Sequence, residues 1–158
     1  MILYHGSYTE VELPNVEFSR KKVDFGAGFY TTPILEQAKN WCSRFLRRQE
    51  HAFISYYEFD EKLFDDFNVR NFDSYSEDWL DFILTCRTGY DTSDYDIVIG
   101  GVANDKIFNT VELYFDKLID KEQALQRLKY EEPNIQICFR NQEIINTHLH
   151  FVKSEKLC

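Results

Sequence analysis

Asp24-Phe25-Gly26-Ala27-Gly28-Phe29-Tyr30-Thr31-Thr32 is the stretch on which the reading of this chain turns, taken together with Tyr4-His5-Gly6-Ser7 near the N-terminus. Two glycines flank one small residue and lead into an aromatic pair, which gives way to a helix start. Such a backbone passes close to something flat, and Tyr30 offers a stacking ring. By itself the stretch would be a glycine-containing turn with an aromatic packed in the core, because short turns of this kind are common. The remainder of the chain decides between the two.

Working outward, Ile2-Leu3-Tyr4-His5 reads as a short strand ended by Gly6-Ser7, and residues 8–27 as loop. Gly28 to Thr31 is extended. Thr32-Pro33 then carries a helix-start signal, Thr32 as the cap and Pro33 at the first helical position. That helix is expected to run to about Glu50, with Leu35, Ala38, Cys42, Phe45 and Gln49 on one face and Trp41 at its edge. Ala52 to Phe59 is β-branched and aromatic and predicts a strand, and Asn68 to Phe72 another. Ser74 with Glu77 has capping-box spacing before a helix that turns Trp79, Leu80, Ile83 and Cys86 inward and ends near Gly89. Tyr95 to Gly100 is the best candidate for a buried strand. Lys106 to Leu118 is predicted helical, with Ile107, Val111, Tyr114, Phe115 and Leu118 on one face. Asp120 with Gln123 opens a further helix that Pro133 breaks. Ile135 to Phe139 is a strand, Asn141 to Asn146 a turn of helix and Thr147 to Lys153 a last strand. Strands outnumber helices without regular alternation, which is the α+β pattern.

At 158 residues this reads as one domain, 1–158, with enough chain for a real core. Fourteen Phe, ten Tyr and two Trp against one Met make it rich in aromatics, and most of these must be core. A net charge of -9 repels phosphate backbones, so nonspecific nucleic-acid binding is disfavoured. Arg20-Lys21-Lys22 and Arg44, Arg47 and Arg48 are the two places where a local basic patch could form. Cys42, Cys86, Cys138 and Cys158 are far apart and lack zinc spacing, and no signal peptide or membrane-length apolar run is present. They read as reduced thiols of a cytoplasmic protein. His5, His51, His148 and His150 also lack ligand spacing, although His148 and His150 would share one face of a strand. No metal is expected.

No GxSxG elbow or Walker loop is present, and Gly26-Ala27-Gly28 lacks the third glycine of a dinucleotide fingerprint. What remains is a His-Gly-Ser after a first strand, a Gly-x-Gly-aromatic-Tyr, and a polar residue in a late strand. Tyr4-His5-Gly6-Ser7, then Phe25-Gly26-Ala27-Gly28-Phe29-Tyr30, then Ala38-Lys39-Asn40-Trp41-Cys42 resembles the ADP-ribosyltransferases of the diphtheria-toxin and poly(ADP-ribose) polymerase type. Their second ring follows the Tyr by eleven residues, as Trp41 follows Tyr30 here. Over nearly its full length the chain also resembles a bacterial domain family of unknown function placed in that superfamily. Asp24 to Thr31, Trp79-x-x-Phe82, Arg87, and Tyr95-Asp96 through Asn104-Asp105 carry that second resemblance.

The resemblance implies a split α+β fold, with two small antiparallel sheets around an NAD cleft and helices packed outside. It implies that the Gly6 backbone pairs with the nicotinamide carboxamide, that His5 holds the NAD ribose, and that Tyr30 and Trp41 sandwich the nicotinamide ring. Ser7 would add a hydrogen bond, and Gly28 belongs to the same cofactor-binding set. The catalytic trio would be His5, Tyr30 and Gln136, the last standing where the family has Glu. Gln keeps the hydrogen bond but lacks the charge, and charge-assisted bonds are about twice as strong as neutral ones. Asp96, Asp105 and Glu143 are the carboxylates that could assist, and Arg87 with Asp105 could form a surface ion pair. The expected activity is NAD-dependent mono-ADP-ribosyl transfer, in a toxin-like bacterial effector with a neutralising antitoxin partner and with protein favoured over nucleic acid as acceptor. The alternative, motivated by Gln136, is a catalytically silent NAD-binding or protein-interaction module.

Overall fold

The computed structural model describes residues 1–103, 105–131 and 133–157. In chain order the strands and helices are β1 (Ile2–Ser7), β2 (Phe29–Thr31), α1 (Leu35–Arg47), β3 (Ala52–Glu58), β4 (Val69–Asn71), α2 (Glu77–Thr88), β5 (Ile97–Gly100), α3 (Asp105–Phe115), α4 (Lys121–Leu128), β6 (Gln136–Phe139), α5 (Gln142–His148) and β7 (His150–Leu157), with short 3-10 turns at Val16–Phe18 and Glu61–Asp65. The strands form two small sheets, one of order β1-β3-β7 and one of order β2-β6-β5-β4. The α+β class and the two-sheet plan follow the sequence reading. One edge differs: β4 runs parallel to β5, so the second sheet is mixed, not purely antiparallel.

Alternation along the strands sorts the core into three layers. Between the sheets lie Leu3 and Tyr57 of the first and Phe29, Ile97, Ile137 and Phe139 of the second, closed by Ile144, Ile145 and Leu149. The other face of the first sheet, with Ala52 and Ile54, packs on Ala38 and Cys42 of α1. The other face of the second sheet, with Val98 and Cys138, packs on Phe25 and on α2, α3 and α4 through Trp79, Leu80, Ile83, Ile107, Val111, Ala124 and Leu128. Each fully buried aliphatic or aromatic side chain contributes about 1.5–3 kcal/mol through removal from water.

Several boundaries differ from expectation for identifiable reasons. Gly6 and Ser7 do not end β1 but continue it, opposite Ile54 and Phe53. Thr32 does not cap α1. Its backbone exchanges two hydrogen bonds with Tyr4, so it is still sheet. Its hydroxyl accepts from Ile34 N at 3.1 Å, and the helix starts at Leu35 with no side-chain cap. That helix stops at Arg47, before Gln49, which takes a left-handed φ of 59°. Ser76, not Ser74, caps α2, its hydroxyl accepting from Trp79 N at 3.2 Å, and Gly89 ends the helix at φ 82°. Asp120 and Gln123 form the full capping box expected of them, but α4 ends at Leu128, well before Pro133. Leu118 lies beyond α3 and is exposed. His148 closes α5 while His150 opens β7, so the two do not share a strand face. Cys42, Cys86 and Cys138 are buried and free. Asn104 and Cys158 and the side chain of Asp105, on which earlier expectations fell, lie outside the described residues. No helix among the described residues is long and apolar enough to cross a membrane.

Candidate functional site

The two sheets touch at one bridge. Tyr4 N donates to Thr32 O at 2.8 Å, and Thr32 N donates to Tyr4 O at 2.9 Å. In an antiparallel pair the backbone groups of alternate residues point to the same side. Tyr4 turns away from β3, so Gly6, two residues on, turns the same way. Thr32 faces β1, so Tyr30 does too. Had pairing continued, Gly6 and Tyr30 would form the next bonded pair. Instead the strands part, and His5 reaches across beside the split, its Nδ1 lying 2.7 Å from Tyr30 O. The N–H and C=O of Gly6 and the N–H of Tyr30 are thereby left facing a split between the sheets. None of the three has a protein partner among the described residues.

Since a carbonyl only accepts, His5 Nδ1 carries the proton and Nε2 is the acceptor nitrogen. Burial lowers the His5 pKa from its ordinary 6.5, and the bond to the Tyr30 carbonyl raises it in part, so the ring stays neutral near pH 7. The imidazole lies against Phe29, with centroids 4.4 Å apart. Gly6 must be glycine. A Cβ there would come 2.8 Å from Cys42 Sγ, 2.9 Å from Ala38 O and 3.3 Å from Trp41 Cδ1. The same approach brings Trp41 beside the Gly6 backbone. Trp41 is 39% exposed, and the Arg44 guanidinium lies over its ring, 3.3 Å from the centroid. Ser7 Oγ accepts weakly from Thr9 N at 3.4 Å.

Tyr30 is committed differently. Its hydroxyl donates to Gly26 O at 2.5 Å and accepts from Phe25 N at 3.0 Å, pinning the Asp24–Gly26 loop. Its ring lies near-parallel to Phe25, and burial, then neighbouring Cys138, pushes its phenol pKa well above 10. No ring contact joins Tyr30 to Trp41 among the described residues. Gly28 is a packing position: a Cβ would fall 2.3 Å from Cys138 Sγ. Gln136 opens β6 and is 7% exposed. Its Nε2 donates to Gly101 O at 3.4 Å, a carbonyl that also accepts from Trp79 Nε1 at 3.2 Å. It shares a sheet face with Cys138 and Tyr30, whereas His5 lies against Phe29 on the opposite face. The structure thus brings His5 and Trp41 to either side of the Gly6 backbone, Trp41 from α1 and His5 from the layer between the sheets, joins Tyr30 to His5 through its carbonyl, and places Gln136 apart.

Of the carboxylates named as helpers, Asp96 is engaged elsewhere, and the side chain of Asp105 lies outside the described residues. Asp96 accepts from Asn68 N and Asn141 Nδ2, and Glu143 lies exposed in the first turn of α5. Arg87 pairs with Asp24, through Nε at 3.0 Å and Nη2 at 2.6 Å, and with Glu112 at 3.2 Å. The Asp24 partner is 63 residues away, beyond any spacing rule. The Trp41–Arg44 stack was within reach of sequence reasoning, because i and i+3 side chains meet on a helix. A cleft of about 620 Å³ opens behind the glycine loop, lined by Gly26, Ala27, Asp91, Ser93, Asp96 and Arg140 among others, with Arg140 and Asp91 paired at 2.6 Å. A second, of about 420 Å³, lies between Tyr75 and α4. Neither is lined by His5, Gly6, Trp41 or Gln136. The two basic stretches stay on separate elements. Lys22 packs by Gly89 at the end of α2, and Arg44 and Arg47 lie in the last turn of α1. No cluster of His, Cys, Asp and Glu fit to hold a metal occurs among the described residues.

A family model described as protein of unknown function (DUF3990) matches residues 1–151, and the chain belongs to that family. Neither a curated protein nor a solved structure matches it.

Proposed function

We propose that this DUF3990 member binds NAD at the split between its sheets and is a mono-ADP-ribosyltransferase, releasing nicotinamide and passing ADP-ribose to a macromolecular acceptor. The observation that carries the reading is the unpaired Gly6 backbone beside an exposed Trp41 and a neutral His5. A backbone N–H and C=O side by side complement a primary amide, which accepts through its oxygen and donates through its nitrogen. Nicotinamide is such an amide on a flat ring, and Trp41 supplies the flat surface. Arg44 covers one face of that indole, so the ligand takes the other or displaces the guanidinium. His5 Nε2, an acceptor, suits a ribose hydroxyl.

The reaction breaks the bond between ribose C1′ and the nicotinamide nitrogen, which leaves with the electron pair. The acceptor's lone pair then bonds to C1′ and the acceptor loses a proton. Holding the carboxamide and ribose at fixed points supplies orientation. Tyr30 acts at one remove by fixing the glycine loop. A toxin-like effector restrained by a neutralising protein fits the same reading, and the charge of -9 favours a protein acceptor over nucleic acid. The test is incubation with labelled NAD and lysate, with nicotinamide release measured in parallel. Label on protein is expected, lost in His5→Ala and Trp41→Ala. Folded protein that neither releases nicotinamide nor labels any macromolecule would overturn the proposal, and label on RNA or DNA would overturn the acceptor class.

Gln136 favours a second reading, a silent NAD-binding module. Its amide is spent on Gly101 O and no charge stands in its place. Gln136→Glu separates the two. NAD cleavage that appears only in the variant marks a degenerate site, whereas cleavage already present in wild type and lost in Gln136→Ala marks a working one.

A further inference from the structure

The sheet of order β1-β3-β7 ends at β7, an eight-residue strand with an open outer edge. The Tyr4–Thr32 bridge fixes which backbone groups face that edge. Tyr4 and Gly6 turn from β3, so their partners Tyr56 and Ile54 turn toward β7 and bond with Lys153 and Glu155. Ser154 and Lys156 therefore present their N–H and C=O outward, and none of these groups has a partner among the described residues. An open edge of this kind is a template for another strand.

We propose that the edge is filled by β7 of a second copy of this chain, antiparallel about a two-fold axis at Ser154. Antiparallel self-pairing must match outward groups with outward groups, which leaves three central registers. Centring on Lys153 sets Lys153 against its own copy, and centring on Glu155 does the same with two carboxylates. Like charges directly opposite are destabilising. Centring on Ser154 sets Lys153 opposite the partner's Glu155 twice over, in the non-bonded pairs where side chains come closest, while the two Ser154 residues exchange backbone hydrogen bonds. The charges are already held on one face: Lys153 Nζ lies 4.7 Å from the Tyr56 ring centroid, and Glu155 accepts from Tyr56 Oη at 2.7 Å. Isologous pairing of this kind joins two three-stranded sheets into one of six. The bulge at β7, where the register shifts between Tyr56 and Tyr57, ends the paired stretch.

Sedimentation across a wide concentration range, with circular dichroism to check folding, tests this. Wild type is expected to shift from monomer to dimer as concentration rises. Glu155→Lys should stay monomeric, and the charge-swapped pair Lys153→Glu with Glu155→Lys should dimerise again. Hydrogen exchange on wild type gives a readout that needs no variant. The Ser154 amide should gain protection with concentration, while those of Lys153 and Glu155, already bonded to β3, should not change. A monomer at every concentration, a dimer indifferent to Glu155→Lys, or a Ser154 amide whose exchange ignores concentration would overturn the proposal.

Discussion

His5 is the residue where sequence, fold and chemistry meet most closely. Its ring bonds to the Tyr30 carbonyl where a continued β1–β2 ladder would have run, and burial lowers its pKa below 6.5. The unfolded chain therefore binds the proton more readily than the folded one, so stability rises with pH in this interval. The His5 contribution is fully present above pH 6.5 and is lost as pH falls through that value toward the folded pKa. Titration of the His5 ring by NMR should give a midpoint below 6.5, and His5→Gln should flatten the acid limb of a denaturant-midpoint profile. A midpoint at or above 6.5 would contradict the burial argument. Gly28 makes a different demand. A methyl placed 2.3 Å from Cys138 Sγ and 3.0 Å from Phe139 O forces β2 off β6, so Gly28→Ala should destabilise by about 1–3 kcal/mol. Part of that loss should return in a Cys138→Ala background, where the sulfur is gone. A double-mutant cycle with no coupling would place the strain elsewhere.

Among the elements, helix starts separate what the sequence shows from what only packing decides. Ser74 and Ser76 are both competent caps, and spacing favoured Ser74 because Glu77 follows at the right distance. The fold chose Ser76, which places Trp79 at the third helical position and its indole N–H on Gly101 O. Ser76→Ala should cost about 1 kcal/mol and Ser74→Ala almost nothing by urea unfolding; equal costs would mean that both hydroxyls cap. Most strands were legible, since Ala52 to Glu58 and Gln136 to Phe139 carry the β-branched and aromatic residues that a two-faced sheet buries. Strand order was not. Nothing local records that β4 lies parallel to β5, or that Thr32 still belongs to a strand because Tyr4 bonds to it. At the candidate site, His5, Gly6 and Trp41 stand in the chain order that the resemblance picks out. The commitments of Tyr30 Oη to the glycine loop and of Gln136 to Gly101 depend on a tertiary approach that no spacing encodes.

For the molecule as a whole, the question is what joins the glycine loop to the helical layer, since the strands alone leave residues 8–28 outside either sheet. Asp24 and Arg87 provide the tie. Their side chains are 15% and 17% exposed, and Arg87 on α2 also reaches Glu112 on α3, so one guanidinium binds loop, second helix and third helix together. The same loop carries Phe25 N and Gly26 O, the two partners of Tyr30 Oη, which connects the tie to the split where Gly6 is unpaired. Removing one member of a mostly buried pair leaves a poorly compensated charge, and Arg87→Gln should cost toward the lower end of about 3–5 kcal/mol, since the pair keeps some contact with water. Lys121 gives the comparison. It bridges Glu77 and Asp81 on the surface, where solvent screens the pair, and Lys121→Gln should cost far less than Arg87→Gln. Asp24→Asn added to Arg87→Gln should recover part of the loss, because the stranded carboxylate is gone. All four proteins should unfold in a single transition, since the layer between the sheets is shared by both. If Arg87→Gln proved no more costly than Lys121→Gln, the loop would have to be held by Phe25 packing alone, and the link from α2 to the split would be lost with it.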